Sequence, residues 1–221
     1  MTAEDPLLIL IRGHLPELFL GPVFLFVGLC ACSLAAIRRR GFGVLLWFGL
    51  FIGMAGMRIL AGAATTLGLA PDSAWPSRVS IFIDHFLVVP GTLLWAELGV
   101  GKFRRFMNWL AALGAGAGLF SLAWYSVTGR PYRFIVLNSL IAIFMLLAIA
   151  LVVVIPGLSR NYLVIQSRVL RIVLPTIALA IVFSAASRAL GHVPPAYLVP
   201  VELTVWILAL GIRSGAANLR E

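Results

Sequence analysis

The sequence predicts an all-α integral membrane protein, built as a bundle of seven transmembrane helices in one domain, residues 1–221. Hydrophobic residues make up 62% of the chain and charged residues only 11%. The apolar residues fall into runs of about 20, the length that crosses a bilayer as a helix. The net charge of +9 is dispersed between these runs, so it indicates membrane topology and not nucleic-acid binding.

Each of the first three spans has its own boundary signal. The first ends at three consecutive arginines, and the second carries Arg58 before a polar loop. The third carries Asp84, Pro90 and Glu97 and ends in a basic cluster. In chain order, the seven predicted spans cover residues 15–37, 44–66, 80–100, 107–127, 134–155, 169–190 and 196–212.

The last four spans are justified in the same way. The fourth contains a Gly-Ala stripe, and the fifth is almost purely aliphatic and ends at a Pro-Gly pair. The sixth carries Pro175 and Arg188, and the seventh carries Pro200 and Glu202. A proline inside a helix removes a backbone donor, so kinks are expected at both prolines and at Pro90 in the third span.

Glycines spaced four residues apart occur in two spans. Gly49 and Gly53 lie in the second span, and Gly114 and Gly118 lie in the fourth. This small-xxx-small spacing is typical of membrane helices whose backbones approach closely. The pairs therefore predict close helix contacts and no specific chemistry.

The distribution of basic residues predicts the orientation. One set of alternate loops holds eleven of the arginines and lysines, whereas the other holds Arg12, Arg78, Arg130 and Arg133. Short loops rich in Lys and Arg stay in the cytoplasm. The N-terminus is therefore predicted to lie outside and the C-terminus in the cytoplasm.

Polar residues from four spans are expected near the outer face. With a rise of about 1.5 Å per residue, Arg58, Asp84 and Glu202 reach similar depth, and His85 and Arg188 lie closer to the rim. A charge at depth normally faces a partner or a wet cavity, so at least one pair of opposite charges should be in contact. The set is either a group of ion pairs that fixes helix register or a ligand- or proton-responsive pocket. The two interpretations are compatible.

Glu97 is expected at the other face of the membrane. It lies about 20 Å from Asp84 along the same helix. We predict that it forms an inner-face ion pair with Arg104, or with Arg168 or Arg171. This pair is interpreted as structural.

Several functional classes lack their sequence signals. The three histidines, His14, His85 and His192, have no i, i+4 spacing, so no metal site is predicted. A retinal protein needs a lysine in its last helix, but Lys102 is the only lysine and lies in a predicted loop. No hydrolase motif is present. The chain is therefore predicted to have no enzymatic activity and no cofactor.

Three segments resemble a known family. They are LLWFGLFIGMAGMRILA in the second span, FLVVPGTLLWAELGVGKFRR in the third, and LALGIRSGAANLRE at the end of the last. They are similar to the membrane region of bacterial seven-transmembrane receptors with diverse intracellular signalling modules. The variants fused to serine/threonine phosphatases or histidine kinases are the most similar.

The resemblance implies a receptor-type sensor in the bacterial cytoplasmic (inner) membrane. Its seven helices would receive a small ligand or membrane signal from outside and pass it through the last helix to a cytoplasmic signalling domain. The chain ends at Glu221, where that domain would begin, so the output could belong to a partner chain. The lipid bilayer is one expected partner. A second copy of the chain, forming a homodimer, is left open as another.

Two alternatives to the sensor remain open. The first is a small transporter or channel, with a polar path lined by Arg58, Asp84 and Glu202. The second is a non-catalytic membrane scaffold, in which the same charges only hold the helices together.

Overall fold

The computed structural model describes residues 6–37, 42–68, 75–129 and 135–154 of the chain. This part is nearly all helical. Its helices are α1 (Pro6–Ile37), α2 (Phe42–Thr66), α3 (Trp75–Phe86), α4 (Val88–Leu98), α5 (Gly101–Thr128) and α6 (Ile135–Val154). The predicted spans 169–190 and 196–212 lie outside the described residues, as do Pro175 and Pro200.

Four helical segments are long and apolar enough to cross a membrane. They are His14–Ile37, Phe42–Thr66, Arg78–Leu98 and Gly101–Thr128. Many of their large apolar side chains point outward, including Phe19 and Phe26 at 69% and 68% exposure. These segments indicate a multi-pass membrane protein, and the outward apolar side chains are consistent with a lipid bilayer around it. Helix α6 overlaps the predicted fifth span, and an apolar segment of α6, Leu140–Ile149, is shorter than a full span.

The third span is one helix interrupted between α3 and α4. Leu87 has helical dihedral angles, φ −58° and ψ −33°. The interruption lies one turn before Pro90, which has no N–H to donate to the carbonyl of Phe86. Leu87 still donates its N–H to the Ile83 carbonyl oxygen at 2.8 Å, so the helix break is the one hydrogen bond that Pro90 cannot make, and the kink expected at Pro90 stays a prediction. Helix α1, by contrast, runs without interruption through Pro16 and Pro22.

The turn between α4 and α5 is shorter than the sequence predicted. Val100 is extended, with φ −128° and ψ 159°, and Gly101 has φ 60°, a conformation that favours glycine. This reversal lets α5 begin at Gly101 instead of near residue 107. Lys102 therefore lies in the first turn of a helix, and the prediction that placed it in a loop is wrong.

Helices α1 and α2 pack backbone against backbone. A Cβ atom on Gly28 would lie 2.6 Å from Gly53 Cα, and one on Gly49 would lie 2.8 Å from the Gly28 carbonyl oxygen. Two turns further along the same interface, a Cβ atom on Gly56 would lie 2.7 Å from the Gly21 carbonyl oxygen. The predicted close contact of the second span is thus a contact with α1.

Helix α5 packs on α3 and α4 through side chains laid over its glycines. A Cβ atom on Gly114 would lie 2.9 Å from Val88 Cγ1, and one on Gly118 would lie 2.9 Å from the Phe86 ring. Further along, one buried cluster joins α4 and α5 to α6. Its members are Trp95, Ala96, Leu98, Phe103, Met107, Leu110, Ile141, Ile149 and Val152.

Candidate functional site

An ion pair joins α2 to α3. Arg58 Nε donates a hydrogen bond to Asp84 Oδ1. Arg58 lies eight residues before the end of α2, and Asp84 lies nine residues after the start of α3. In antiparallel neighbours joined by a short connection, these positions have nearly the same height along the bundle. The sequence expectation that one pair of opposite charges would meet is thus fulfilled by Arg58 and Asp84.

The pair is only half-buried. Its side chains are 39% and 36% exposed, so both groups reach the surface of the described helices. A hydrogen bond to a charged group contributes about 1.5–3 kcal/mol, and partial exposure places this pair at the low end of that range. Inside a bilayer an unpaired charge is energetically costly, so each charge lowers the cost of placing the other in the membrane. The pair therefore links α2 to α3 at a partly exposed position.

His85 follows Asp84 in the chain but faces another helix. One step along a helix turns the side chain by about 100°, so Asp84 meets α2 while His85 lies between α3 and α5. His85 is buried, and its Nδ1 lies 2.6 Å from the Ile81 carbonyl oxygen. A carbonyl only accepts, so Nδ1 is the nitrogen that carries the proton. The structure thus separates two residues that the sequence grouped in one polar set.

A small cavity lies beside His85. His85, Ser121 and Tyr125 supply its polar lining, and Phe86 and Gly118 are among its apolar walls. Its volume of about 10 Å³ fits a single water molecule and nothing larger. This cavity is therefore too small to be the pocket for an external ligand.

Sequence reasoning did not single out Ser121. It is 2% exposed, and among the described residues its hydroxyl has no hydrogen-bond partner. Its position three residues after Gly118 places both on the face of α5 that packs against α3. The spacing of Ser121 from Gly118 is therefore the feature of the sequence that could have indicated a polar group between α3 and α5.

The Arg58 end of the bundle carries a second charged contact. His14 Nδ1 lies 2.8 Å from Glu17 Oε2 on α1, with side chains 24% and 27% exposed. Because Gly21 packs against Gly56 on α2, this pair lies a turn or two beyond Arg58. Arg188 and Glu202, the other predicted members of the outer polar set, lie outside the described residues.

At the opposite, or Glu97, end the predicted ion pair has a loose geometry. Arg104 Nη2 lies 3.6 Å from Glu97 Oε1, and the two side chains are 54% and 36% exposed. This distance is longer than a hydrogen bond. The Glu97 side chain also lies over the start of α2, because a Cβ atom on Gly43 would lie 2.8 Å from Glu97 Cδ. Arg168 and Arg171, the alternative partners, lie outside the described residues.

No cluster of three or more His, Cys, Asp or Glu side chains that could hold a metal ion occurs in residues 6–37, 42–68, 75–129 and 135–154. The arrangement instead offers a half-buried ion pair, Arg58–Asp84, three residues before Leu87. No protein-family model, curated protein or solved structure matches the chain. The resemblance to seven-transmembrane receptors therefore stays a prediction that depends on three short segments.

Proposed function

We propose that the chain is a sensor input module with seven transmembrane helices in a bacterial cytoplasmic membrane. It passes a signal from the outer face through its last helix to a cytoplasmic output domain or partner chain. The observation that carries the proposal is the Arg58–Asp84 ion pair. It joins α2 to α3 only three residues before the helix break at Leu87.

The position of the pair relative to the break gives a mechanism. Helix α3 is a segment of 12 residues that packs against α2 and α5, and the ion pair adds a polar restraint to its contact with α2. A ligand, proton or membrane change that separates Arg58 from Asp84 removes this restraint. The break then absorbs a change in the angle between α3 and α4, which is a common form of two-state switching.

The number of spans and their orientation are part of the proposal. The uneven distribution of Lys and Arg between alternate loops supports an external N-terminus and a cytoplasmic C-terminus. In this orientation the Arg58 end faces outward. An external signal therefore reaches the ion pair first, and the last helix delivers the output inside.

The test joins residues 1–221 to a kinase or phosphatase domain whose activity is measured in membranes. Arg58→Leu and Asp84→Leu should each lower the yield of folded protein, because each leaves a charge unpaired. The double variant should recover part of the yield. Its basal output should still differ severalfold from that of the wild type, because α3 has lost its polar restraint on α2.

Two proline variants separate the break from general helix stability. Pro90→Ala restores a backbone donor at the break. It should therefore fix the activity of the joined kinase or phosphatase domain at a single level. Pro22→Ala changes a proline of α1, where the helix is uninterrupted, and should leave the output unchanged. If the folded double variant and Pro90→Ala both keep the wild-type output, the sensor proposal is wrong.

The same variants distinguish the alternatives. For a transporter or channel, the variants would leave the output unchanged. In reconstituted vesicles, the Arg58 and Asp84 variants would show reduced ion or solute flux. A scaffold would show neither change, and its variants would differ in folded yield alone.

A further inference from the structure

One face of α5 carries two cations and an indole in register. Lys102, Arg105 and Trp109 are spaced i, i+3 and i+7, so their side chains lie along one side of the helix. Lys102 and Arg105 are exposed, and Trp109 is 69% exposed. This outward face begins at the Glu97 end of the bundle. We call it the α5 outer face.

The α5 outer face continues as an apolar stripe. Leu113 and Phe120, four and eleven residues after Trp109, are 48% and 52% exposed. Between them, Gly116 has nothing within 4 Å of the place where a Cβ atom would stand. The face therefore changes from cationic to aromatic to apolar, with a shallow opening at Gly116.

The two cations on this face are not neutralised by neighbouring acids. Of the cluster formed by Lys102, Arg104 and Arg105, only Arg104 turns toward an acid, Glu97, at 3.6 Å. Lys102 and Arg105 form no ion pair with any residue of the four described stretches. Their positive charge is available to a group outside these helices.

We propose that the α5 outer face binds an anionic phospholipid. The lipid phosphate lies between Lys102 and Arg105, the indole of Trp109 lies at the glycerol level, and an acyl chain follows Leu113 and Phe120. Trp109 lies about 8 Å along the helix axis from the level midway between Lys102 and Arg105, and the headgroup layer is about 5–8 Å thick on each side. A phosphate at the outer edge of that layer therefore places the indole at its inner edge. Trp is the residue type that prefers this interfacial level. The inference does not depend on the sensor proposal.

The test measures lipid retention by the full-length chain. The detergent-solubilised protein is mixed with phosphatidylglycerol or phosphatidylcholine, and bound lipid is counted by native mass spectrometry. The wild type should retain phosphatidylglycerol in preference to phosphatidylcholine. K102Q/R105Q should lower phosphatidylglycerol retention about tenfold or more, since each cation near an anionic lipid contributes about a factor of five.

A matched control distinguishes a local site from net charge. Arg78→Gln removes one exposed cation at the start of α3, at the opposite end of the bundle, and should leave retention unchanged. Lys102→Gln, with the same change in charge, should lower it. Thermal unfolding of each variant checks that the helices still fold.

Three outcomes would overturn the proposal. One is unchanged phosphatidylglycerol retention in a folded K102Q/R105Q variant. Another is an equal loss in Arg78→Gln, which would show that overall charge sets lipid binding. The third is complete displacement of the lipid by excess inorganic phosphate, which would assign the cations to a free anion. Trp109→Ala should weaken phosphatidylglycerol binding, and unchanged binding would remove the indole from the site.

Discussion

Two helix interfaces in this protein share glycines spaced four residues apart but differ in what covers them. Between α1 and α2, Gly28 lies against the backbone of Gly53 and leaves no room for a side chain. Between α5 and the third span, Gly114 and Gly118 lie beneath the side chains of Val88 and Phe86. At Gly28 the nearest neighbours are backbone atoms, whereas at Gly114 and Gly118 they are side-chain atoms that can change rotamer.

The difference separates a rigid part of the bundle from an adjustable one. Backbone atoms in contact cannot move apart without separating the helices, whereas a phenyl ring can tip and still cover the glycine. Apart from the Arg58–Asp84 ion pair, which joins α2 to α3, the features with functional potential lie on the adjustable side. They are the break at Leu87, the buried His85, Ser121 and the cavity between them. We therefore expect α1 and α2 to act as the frame against which α3 moves.

The largest expected effect comes from adding one methyl group to the rigid interface. In Gly28→Ala, the new Cβ atom would lie 2.6 Å from Gly53 Cα and 2.7 Å from the Gly49 carbonyl oxygen. Neither atom can move alone, so we expect a loss at the upper end of the range of about 1–3 kcal/mol for overpacking. Thermal unfolding in detergent measures the loss.

The partner glycine supplies the control for this prediction. A Cβ atom on Gly53 would have Gly28 Cα as its nearest neighbour, at an ordinary 3.8 Å. Gly53→Ala should therefore be tolerated, although Gly53 faces Gly28 across the same contact. Equal losses in the two variants would mean that the helices do not meet in this register.

A smaller effect is expected from the same change in the adjustable interface. In Gly118→Ala, the methyl group would meet the far edge of the Phe86 ring at 2.9 Å, and the ring can rotate away beside the cavity. Alanine also favours a helix over glycine by about 1 kcal/mol, so the net change should stay within about 1 kcal/mol.

Gly116→Ala is the reference for this variant, because it lies on the same helix and has no neighbour within 4 Å. The stability of Gly118→Ala relative to Gly116→Ala gives the cost of moving Phe86. A cost as large as that of Gly28→Ala would show that both interfaces are equally rigid, and the comparison would fail.

The sequence predicted the features of the fold that depend on hydrophobic length and on the cost of a buried charge. The four membrane-spanning segments in the described part of the chain and the meeting of Arg58 with Asp84 follow from these two quantities. The missing hydrogen bond at Pro90 follows from proline chemistry, although the same chemistry at Pro16 and Pro22 leaves α1 uninterrupted. These predictions need no knowledge of how side chains pack.

Features that depend on local backbone angles or on packing could not be predicted. The start of α5 at Gly101 depends on one positive φ angle, and hydropathy alone cannot distinguish this short turn from a longer loop. The rotation of about 100° between Asp84 and His85 was expected from helix geometry, but which helix each side chain faces depends on the packing on each side of α3. The unsatisfied hydroxyl of Ser121 depends on the shape of the Phe86 side chain above Gly118.

The smallest predicted effect tests whether the adjustable interface is dry. Ser121 and Ser126 lie on the same helix, so Ser→Ala changes helix propensity equally at both positions. The Ser126 hydroxyl donates to the carbonyls of Leu122 and Ala123, at 2.7 and 3.0 Å, whereas that of Ser121 has no partner among the described residues. Burying such a hydroxyl costs at least about 0.5 kcal/mol. Relative to Ser126→Ala, Ser121→Ala should therefore be more stable by about that amount in the same unfolding assay.

If Ser121→Ala is instead the less stable of the two, the hydroxyl has a partner. The cavity would then hold the one water molecule that its volume admits, and the interface between α3 and α5 would be hydrogen-bonded and not purely apolar.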